Sequence, residues 1–154
     1  MQSKEVKLRK SEFPFRDEYD VNLNEKKREN KKVLYVEDDL FTRLIMDKYL
    51  SKLYHLDLAE NSEVALKRIH TTIYDVILMD INLGKGINGL ELTQVIRNIQ
   101  PYKRVPIIAV SAFAHANNKK EILARGITDC ISKPFKLKDI LSLLDKIFEA
   151  KKNA

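Results

Sequence analysis

Five short runs with strand-like patterns alternate with amphipathic stretches beyond residue 31, and this alternation restricts the fold more than any other feature of the sequence. The clearest run covers residues 76–79 and leads directly into Asp80, after which the sequence becomes polar and rich in glycine. Short apolar runs that are bounded by turn residues are typical of strands buried on both faces. The other predicted strands cover residues 33–36, 55–59, 105–110 and 128–132, and the strand at 55–59 alternates apolar and polar residues.

Apolar residues between and after these runs recur at helical spacing and predict five helices. We expect Asp39 to cap the first helix and Asn61 the second, since short polar side chains accept hydrogen bonds from the free N–H groups at a helix start. Pro101 is expected to stop the third helix, and Gly126 to end the fourth. The fifth helix is the most clearly amphipathic, with apolar residues at Leu137, Ile140, Leu141, Leu144, Ile147 and Phe148.

Strands that alternate with helices predict an α/β fold, here a doubly wound five-stranded parallel sheet in the flavodoxin-like order 2-1-3-4-5 with five helices. Residues 1–31 are polar, mixed in charge and without periodicity, so we expect a flexible arm or linker there. The folded domain is predicted over residues 32–150, with a short tail at 151–154. No output domain is expected after the fifth helix, so output would require contact with another protein.

Composition limits the cellular setting and the partners. No apolar run reaches the roughly 20 residues of a membrane span, and the charged N-terminus lacks the apolar stretch of a signal peptide. The single cysteine, Cys130, excludes an internal disulfide and suits a reducing compartment, so we expect a cytoplasmic protein. The net charge of +6 comes from 28 basic and 22 acidic residues without a nucleic-acid-binding motif, so direct nucleic-acid binding is not expected.

Polar side chains follow four of the predicted strands: Glu37 and Asp38 the first, Asp80 the third, Ser111 the fourth and Lys133 the fifth. The carboxyl ends of parallel strands share one edge of the sheet, so these side chains should converge. Clustered carboxylates repel each other unless a cation such as Mg²⁺, which prefers oxygen ligands, binds between them. A lysine and a hydroxyl beside them suit an anionic phosphoryl group. Singly, each residue is better explained as a helix cap, a turn residue or, for Lys133, a solvated side chain; together they predict a phosphoryl-transfer site.

The sequence resembles the receiver domain of two-component response regulators and hybrid histidine kinases over roughly residues 32–150. The resemblance depends on four motifs in the order and spacing of that family: VLYVEDD at 33–39, VILMDINL at 76–83, PIIAVSA at 106–112 and SKPF at 132–135. It implies that Asp80 is the phospho-acceptor and that Mg²⁺ is bound by Asp38, Asp80 and the backbone carbonyl of Asn82. Glu37 is implied to act on the metal through a bound water.

The resemblance also implies that Lys133 pairs with Asp80 and then with the phosphoryl oxygens, which Ser111 contacts as well. The implied partners are a sensor histidine kinase or histidine phosphotransfer protein and a downstream protein, which would bind the face of the fourth helix, fifth strand and fifth helix. Two positions depart from the family. Cys130 replaces the usual aromatic residue, so switching by rotation of a ring does not follow, and Gly84 replaces a common proline in a loop that is one residue longer.

Two other functions remain open from the residues. Phosphatases of the haloacid-dehalogenase type also form an aspartyl-phosphate, but their Asp-x-Asp signature follows the first strand, whereas Asp80 follows the third and residue 82 is Asn. A flavin- or nucleotide-binding module would need a glycine-rich loop after the first strand, where this chain has acidic residues. We therefore expect a signalling acceptor rather than an enzyme, with at most self-phosphorylation from small donors and autodephosphorylation.

Overall fold

The structure is a computed structural model that describes residue 28, residues 30–112 and residues 116–153. The described residues up to Lys133 form one compact unit, and those from Pro134 onward belong to a second. The predicted arm over residues 1–31 lies almost entirely outside the described residues and stays a prediction.

The first unit contains five parallel strands in the order β2-β1-β3-β4-β5, which confirms the predicted sheet. Every position of β3 and β4 is buried, as the continuous apolar runs indicated. β4 begins two residues later than predicted, since Pro106 has no N–H to donate to a neighbouring strand. The strands are β1 Lys32–Val36, β2 His55–Ala59, β3 Val76–Asp80, β4 Ile107–Ser111 and β5 Asp129–Ser132.

Four helices of the first unit follow the strands: α1 Leu40–Leu50, α2 Ser62–Thr71, α3 Gly89–Arg97 and α4 Ala116–Ala124. The predicted caps are confirmed. The Asp39 carboxylate accepts a hydrogen bond from the Thr42 N–H at 2.7 Å, and the Asn61 side chain accepts one from the Val64 N–H at 2.9 Å. Gly126 follows the end of α4 with a φ of +98°, which its lack of a side chain permits.

The end of α3 differs from the prediction. The helix stops at Arg97, four residues before Pro101, which lies instead in a short 3₁₀ turn over Gln100–Tyr102. The N–H groups of Asn98 and Ile99 bond to carbonyls three residues back, the tighter pattern by which helices often end. The helix has therefore already ended when the chain reaches the proline.

One face of the sheet packs against α2, α3 and α4. Apolar side chains from β1, β3 and β4 meet apolar side chains of those helices in a continuous buried cluster. Burial of each large aliphatic side chain there contributes about 1.5–3 kcal/mol to stability. The cluster includes Leu34, Val36, Ile77, Met79, Ile107, Ala65, Ile69, Leu92, Ile96 and Ile122.

The second unit contributes one described helix, α5 Leu137–Lys152, which matches the most clearly amphipathic stretch of the sequence. The Asp139 carboxylate accepts a hydrogen bond from the Lys136 N–H at 3.2 Å and so satisfies a donor at the helix start. The buried apolar residues of α5 are Leu137, Ile140, Leu141, Leu144 and Phe148. Among the described residues, no helix combines the length and the apolar character that crossing a bilayer requires.

Candidate functional site

Three carboxylates converge where β1 and β3 end. These neighbouring strands are paired in register, so Glu37 and Asp38, which follow β1, come beside Asp80, the last residue of β3. One oxygen from each of the three lies within 4.8 Å of the others. Glu37 is 1% and Asp80 5% exposed, whereas Asp38 is open to solvent. The predicted acidic cluster is therefore present, with one carboxylate at its open side.

The cluster carries more negative charge than its surroundings balance. Burial, and after it repulsion from Glu37, raises the pKa of Asp80 to about 7, although Lys133 acts in the opposite direction. Three carboxylates with excess negative charge are suitable ligands for a hard divalent cation. A cation bound there would favour the ionised form of Asp80.

Lys133 follows β5 and is shared between two carboxylates. Its N–H donates to the Ser111 carbonyl at 3.0 Å, which aligns the end of β5 with the end of β4. Its Nζ lies 2.6 Å from Glu37 Oε2 and 3.6 Å from Asp80 Oδ2. The resemblance implied pairing with Asp80, but the closer contact is with Glu37, the more deeply buried of the two carboxylates.

Glu37 is held by three donors. Its Oε2 accepts the Tyr35 hydroxyl at 2.9 Å as well as Lys133, and its Oε1 accepts the Asp39 N–H at 3.2 Å. Burial and the Glu37 charge raise the pKa of Tyr35 well above its usual range, so its hydroxyl stays protonated and donates. Tyr35 was not predicted as a site residue. The two-residue period of a strand, which puts residues 35 and 37 on one face, is the signal that could have found it.

Asp38 is positioned through the backbone around it. Its Oδ2 accepts the Gly84 N–H at 3.1 Å, a bond that proline at this position could not donate. The Arg43 guanidinium donates from Nη1 to the Glu37 and Asp38 carbonyls, each at 2.7 Å, and fixes the turn between β1 and α1. Arg43 was also missed, and no sequence motif marks it.

The loop after Asp80 returns closely against the strand. The Asn82 N–H donates to Asp80 Oδ1 at 3.3 Å, and the Gly89 N–H donates to the Ile81 carbonyl at 2.8 Å. A Cβ at Gly89 would lie 2.1 Å from the Asp80 carbonyl oxygen, so only glycine fits where α3 begins. The loop thereby fixes the Asp80 backbone, while the Asn82 side chain is exposed.

Ser111 and Cys130 lie on the neighbouring strands. Ser111 is fully buried at the end of β4, one residue beyond Val110, which pairs with Asp80. Cys130, on β5, pairs with Ala109 of β4 and is partly exposed. Burial, followed by the nearby Asp129 carboxylate, raises the pKa of the Cys130 thiol, which keeps it in the neutral form.

Comparison with known proteins identifies the family. The response regulator receiver domain matches residues 33–145. Hybrid signal transduction histidine kinase G of Dictyostelium discoideum is 36% identical over 119 residues, which cover 75% of this chain and 3% of the kinase. The chain likewise spans only 17% of histidine kinase 5 of Arabidopsis thaliana and 10% of the histidine-protein kinase BarA of Shigella flexneri.

Solved structures agree with the sequence relatives. The chemotaxis response regulator CheY4 of Vibrio cholerae superposes on this chain with a TM-score of 0.71 at 28% sequence identity. The superposition covers 76% of this chain and 98% of the CheY4 chain. The receiver domain of a sensor histidine kinase of Pseudomonas aeruginosa, solved with a magnesium ion in its active-site cleft, has a TM-score of 0.69 at 30% identity. That superposition covers 76% of this chain and 96% of the Pseudomonas chain. The chain therefore belongs to the response regulator receiver domain family and is a receiver domain of two-component phosphorelay signalling.

Proposed function

We propose that Asp80 accepts a phosphoryl group from a phosphohistidine of a sensor histidine kinase or histidine phosphotransfer protein. One observation carries this proposal: Asp80, Asp38, Glu37 and Lys133 meet at one edge of the sheet. A carboxylate oxygen of Asp80 attacks phosphorus, an O–P bond forms, and the P–N bond to the donor histidine breaks. The imidazole nitrogen keeps the electron pair and takes a proton from solvent.

The proposed cofactor is Mg²⁺, held by Asp38, Asp80 and the Asn82 carbonyl, with Glu37 acting through a bound water. The ion would neutralise charge on the phosphoryl oxygens. The oxygen donors and the raised pKa of Asp80 support this proposal, because both indicate a site that favours a cation. The magnesium ion in the similar Pseudomonas receiver domain supports it as well.

Lys133 and Ser111 would bind the transferred group. Lys133 Nζ is 3.6 Å from Asp80 Oδ2 and needs only a small shift to reach a phosphoryl oxygen there. The Ser111 hydroxyl would donate to another phosphoryl oxygen and draw the loop after β4 toward it. The changed position of that loop would signal the phosphorylated state to a downstream protein.

An exposed apolar patch beside the site supports a protein donor. Leu40, Phe41 and Leu44, in the first turns of α1, are 55%, 55% and 54% exposed. They directly follow the acidic residues at 37–39 along the chain, and an apolar patch at such a position commonly marks a protein contact. We therefore propose that the donor contacts this patch while its phosphohistidine reaches Asp80. Phosphorylation would be stoichiometric acceptance rather than turnover of a small substrate.

The proposal is tested by labelling with acetyl phosphate in Mg²⁺, read by intact-mass spectrometry. We expect the wild-type chain to gain one phosphoryl group and Asp80→Asn to gain none, since the amide is not a nucleophile. Asp75→Asn is the matched control, because Asp75 lies just before the opposite end of β3. It should be labelled like the wild type. Equal labelling of Asp80→Asn and wild type would refute the assignment of Asp80.

A further inference from the structure

Tyr35 and Lys133 donate to the same carboxylate oxygen. The Tyr35 hydroxyl lies 2.9 Å from Glu37 Oε2, and Lys133 Nζ lies 2.6 Å from that atom. Tyr35 is completely buried and Glu37 is 1% exposed. The Tyr35 hydroxyl is therefore shielded from solvent, and the buried Glu37 carboxylate depends strongly on its protein donors for hydrogen bonds.

Phosphorylation changes what Lys133 contacts. Its Nζ is now closer to Glu37 than to Asp80, at 2.6 Å against 3.6 Å. A phosphoryl group on Asp80 adds negative charge, and Lys133 must move toward it. Glu37 then loses the Lys133 ammonium while it remains buried, and its remaining protein donors are the Tyr35 hydroxyl and the Asp39 N–H, beside the proposed metal-bound water. A buried carboxylate that loses one donor depends more strongly on those that remain.

We propose that Tyr35 is a positioning residue for phosphoryl transfer, whose hydroxyl holds the Glu37 carboxylate in place while Lys133 moves from Glu37 to the phosphoryl group on Asp80. Tyr35 touches neither the donor nor the phosphoryl group and acts only through Glu37. This inference depends on the proposed function, because the movement of Lys133 follows from phosphorylation of Asp80.

Tyr35→Phe tests the inference because it removes only the hydroxyl. Tyr74→Phe is the matched control, since the Tyr74 hydroxyl donates to the Asp57 carboxylate at 2.5 Å, and Tyr74 lies before the opposite end of β3. Calorimetric titration with Mg²⁺ alone, and with beryllofluoride in saturating Mg²⁺, separates metal binding from binding of a phosphoryl mimic. Thermal unfolding in EDTA reports the folded state without any ligand.

We expect Tyr35→Phe to weaken beryllofluoride binding by about three- to tenfold, because the hydroxyl matters more once Lys133 has left Glu37. Mg²⁺ affinity should stay within about twofold, since Lys133 remains on Glu37 in that state. Tyr74→Phe should leave both affinities unchanged, and both variants should lower Tm in EDTA to a similar extent.

A double-mutant cycle shows whether Tyr35 acts through Glu37. In a Glu37→Gln background, Tyr35→Phe should cause no further loss of beryllofluoride affinity. The same loss in that background would overturn the inference, as would equal beryllofluoride affinity of Tyr35→Phe and the wild type. If the wild type itself does not bind beryllofluoride, the proposed function fails and the role of Tyr35 fails with it. If it binds and Tyr35→Phe binds equally, only the role of Tyr35 is refuted.

Discussion

Asp80 combines deep burial with a charge that its surroundings do not fully balance. It is 5% exposed, lies beside buried Glu37 and shares the Lys133 ammonium with that residue. In the metal-free protein this arrangement favours the protonated carboxyl, and a bound cation would reverse that preference. The proposed activation of Asp80 as a nucleophile and the stability of the fold are therefore linked through the same side chain.

The linkage predicts how metal-free stability depends on pH. The pKa of Asp80 is raised to about 7 in the folded protein, whereas an unfolded aspartate titrates near about 3.9. Between these values the folded state binds the extra proton, so the free energy of unfolding falls as the pH rises through this window. Tm in EDTA should therefore decrease from pH 5 to pH 8 in unfolding scans monitored by circular dichroism.

Asp80→Asn should remove most of that pH dependence. The amide carries no charge, so the variant should unfold at a higher temperature than the wild type at pH 8 in EDTA. Because solvent screens part of the charge repulsion around Asp80, we expect a difference in Tm of only roughly 3–5 °C. At pH 5, where the wild-type carboxyl is largely protonated, the two proteins should have similar Tm values. Parallel pH profiles of wild type and variant would contradict the assigned cause.

At the residue scale, the sequence predicted which side chains meet at this edge of the sheet better than it predicted the contacts between them. Asp80, Asp38 and Lys133 were found because each ends a strand pattern, and parallel strands end at one edge. The preference of Lys133 for Glu37 could not be predicted, because it depends on which carboxylate is more buried. That depends on the tertiary packing around the sheet edge.

At the scale of elements, Arg97 joins three segments of the first unit. Its guanidinium donates to the Gly126 carbonyl at 2.8 and 3.0 Å, the Tyr102 carbonyl at 2.7 Å and the Val105 carbonyl at 2.6 Å. These carbonyls belong to the turn after α4 and to the connection from the 3₁₀ turn to β4. Burial lowers the pKa of Arg97, but an arginine remains charged.

Replacement of Arg97 by lysine should be costly despite the conserved charge. A lysine ammonium cannot reproduce the planar fork that reaches three carbonyls, so buried acceptors would lose their donors. We expect Arg97→Lys to reduce the free energy of unfolding by about 2–4 kcal/mol in urea titrations. Arg104→Lys, at an exposed position nearby, should change it by less than about 0.5 kcal/mol. Similar losses for both variants would show that Arg97 does not join these segments.

The loop between β3 and α3 depends on Gly89. A Cβ there would meet the Asp80 carbonyl oxygen at 2.1 Å, a contact that only movement of the backbone can relieve. Gly89→Ala should therefore slow labelling of Asp80 by acetyl phosphate and lower stability by more than about 2 kcal/mol. Lys85→Ala, at an exposed position of the same loop, should retain the wild-type labelling rate and stability. Wild-type behaviour of Gly89→Ala would show that the loop adapts without displacing Asp80.

The elements were predicted well where periodicity was strong and less well where helices end. β3 and β2 match their predicted bounds, because both are short runs between clear turn residues. The prediction that Pro101 stops α3 was wrong, since hydrogen bonds after Arg97 end the helix before the chain reaches the proline. Leu40 and Leu44 continue the apolar pattern of α1 but are exposed, because apolar spacing does not identify the side of a helix that is covered.

At the scale of the molecule, Mg²⁺ should stabilise the folded state, because an unfolded chain does not hold its ligands together. At a concentration of 100 times Kd, we expect about 2.7 kcal/mol of added stability, seen as a rise in Tm. Asp38→Asn should abolish the rise, and Glu121→Gln, on the exposed surface of α4, should preserve it. An equal rise for Asp38→Asn and wild type would indicate that the ion binds elsewhere.

The topology could be predicted because few arrangements satisfy right-handed connections between adjacent parallel strands. The observed order β2-β1-β3-β4-β5 follows from that rule and from the lengths of the connecting segments. The sequence contained no comparable rule for the polar contacts that tie distant segments together, such as those of Arg43 and Arg97.

The complete burial of β3 and β4 has a consequence for how a signal leaves the site. All five positions of each strand are buried, and because close-packed interiors resist displacement, we expect both strands to stay in place beneath Asp80. The proposed phosphorylation of Asp80 would then be transmitted through side chains and loops at the edge of the sheet rather than along these strands. Amide hydrogen exchange should therefore remain slow in β3 and β4 before and after phosphorylation, while the loops that follow these strands should change their exchange rates.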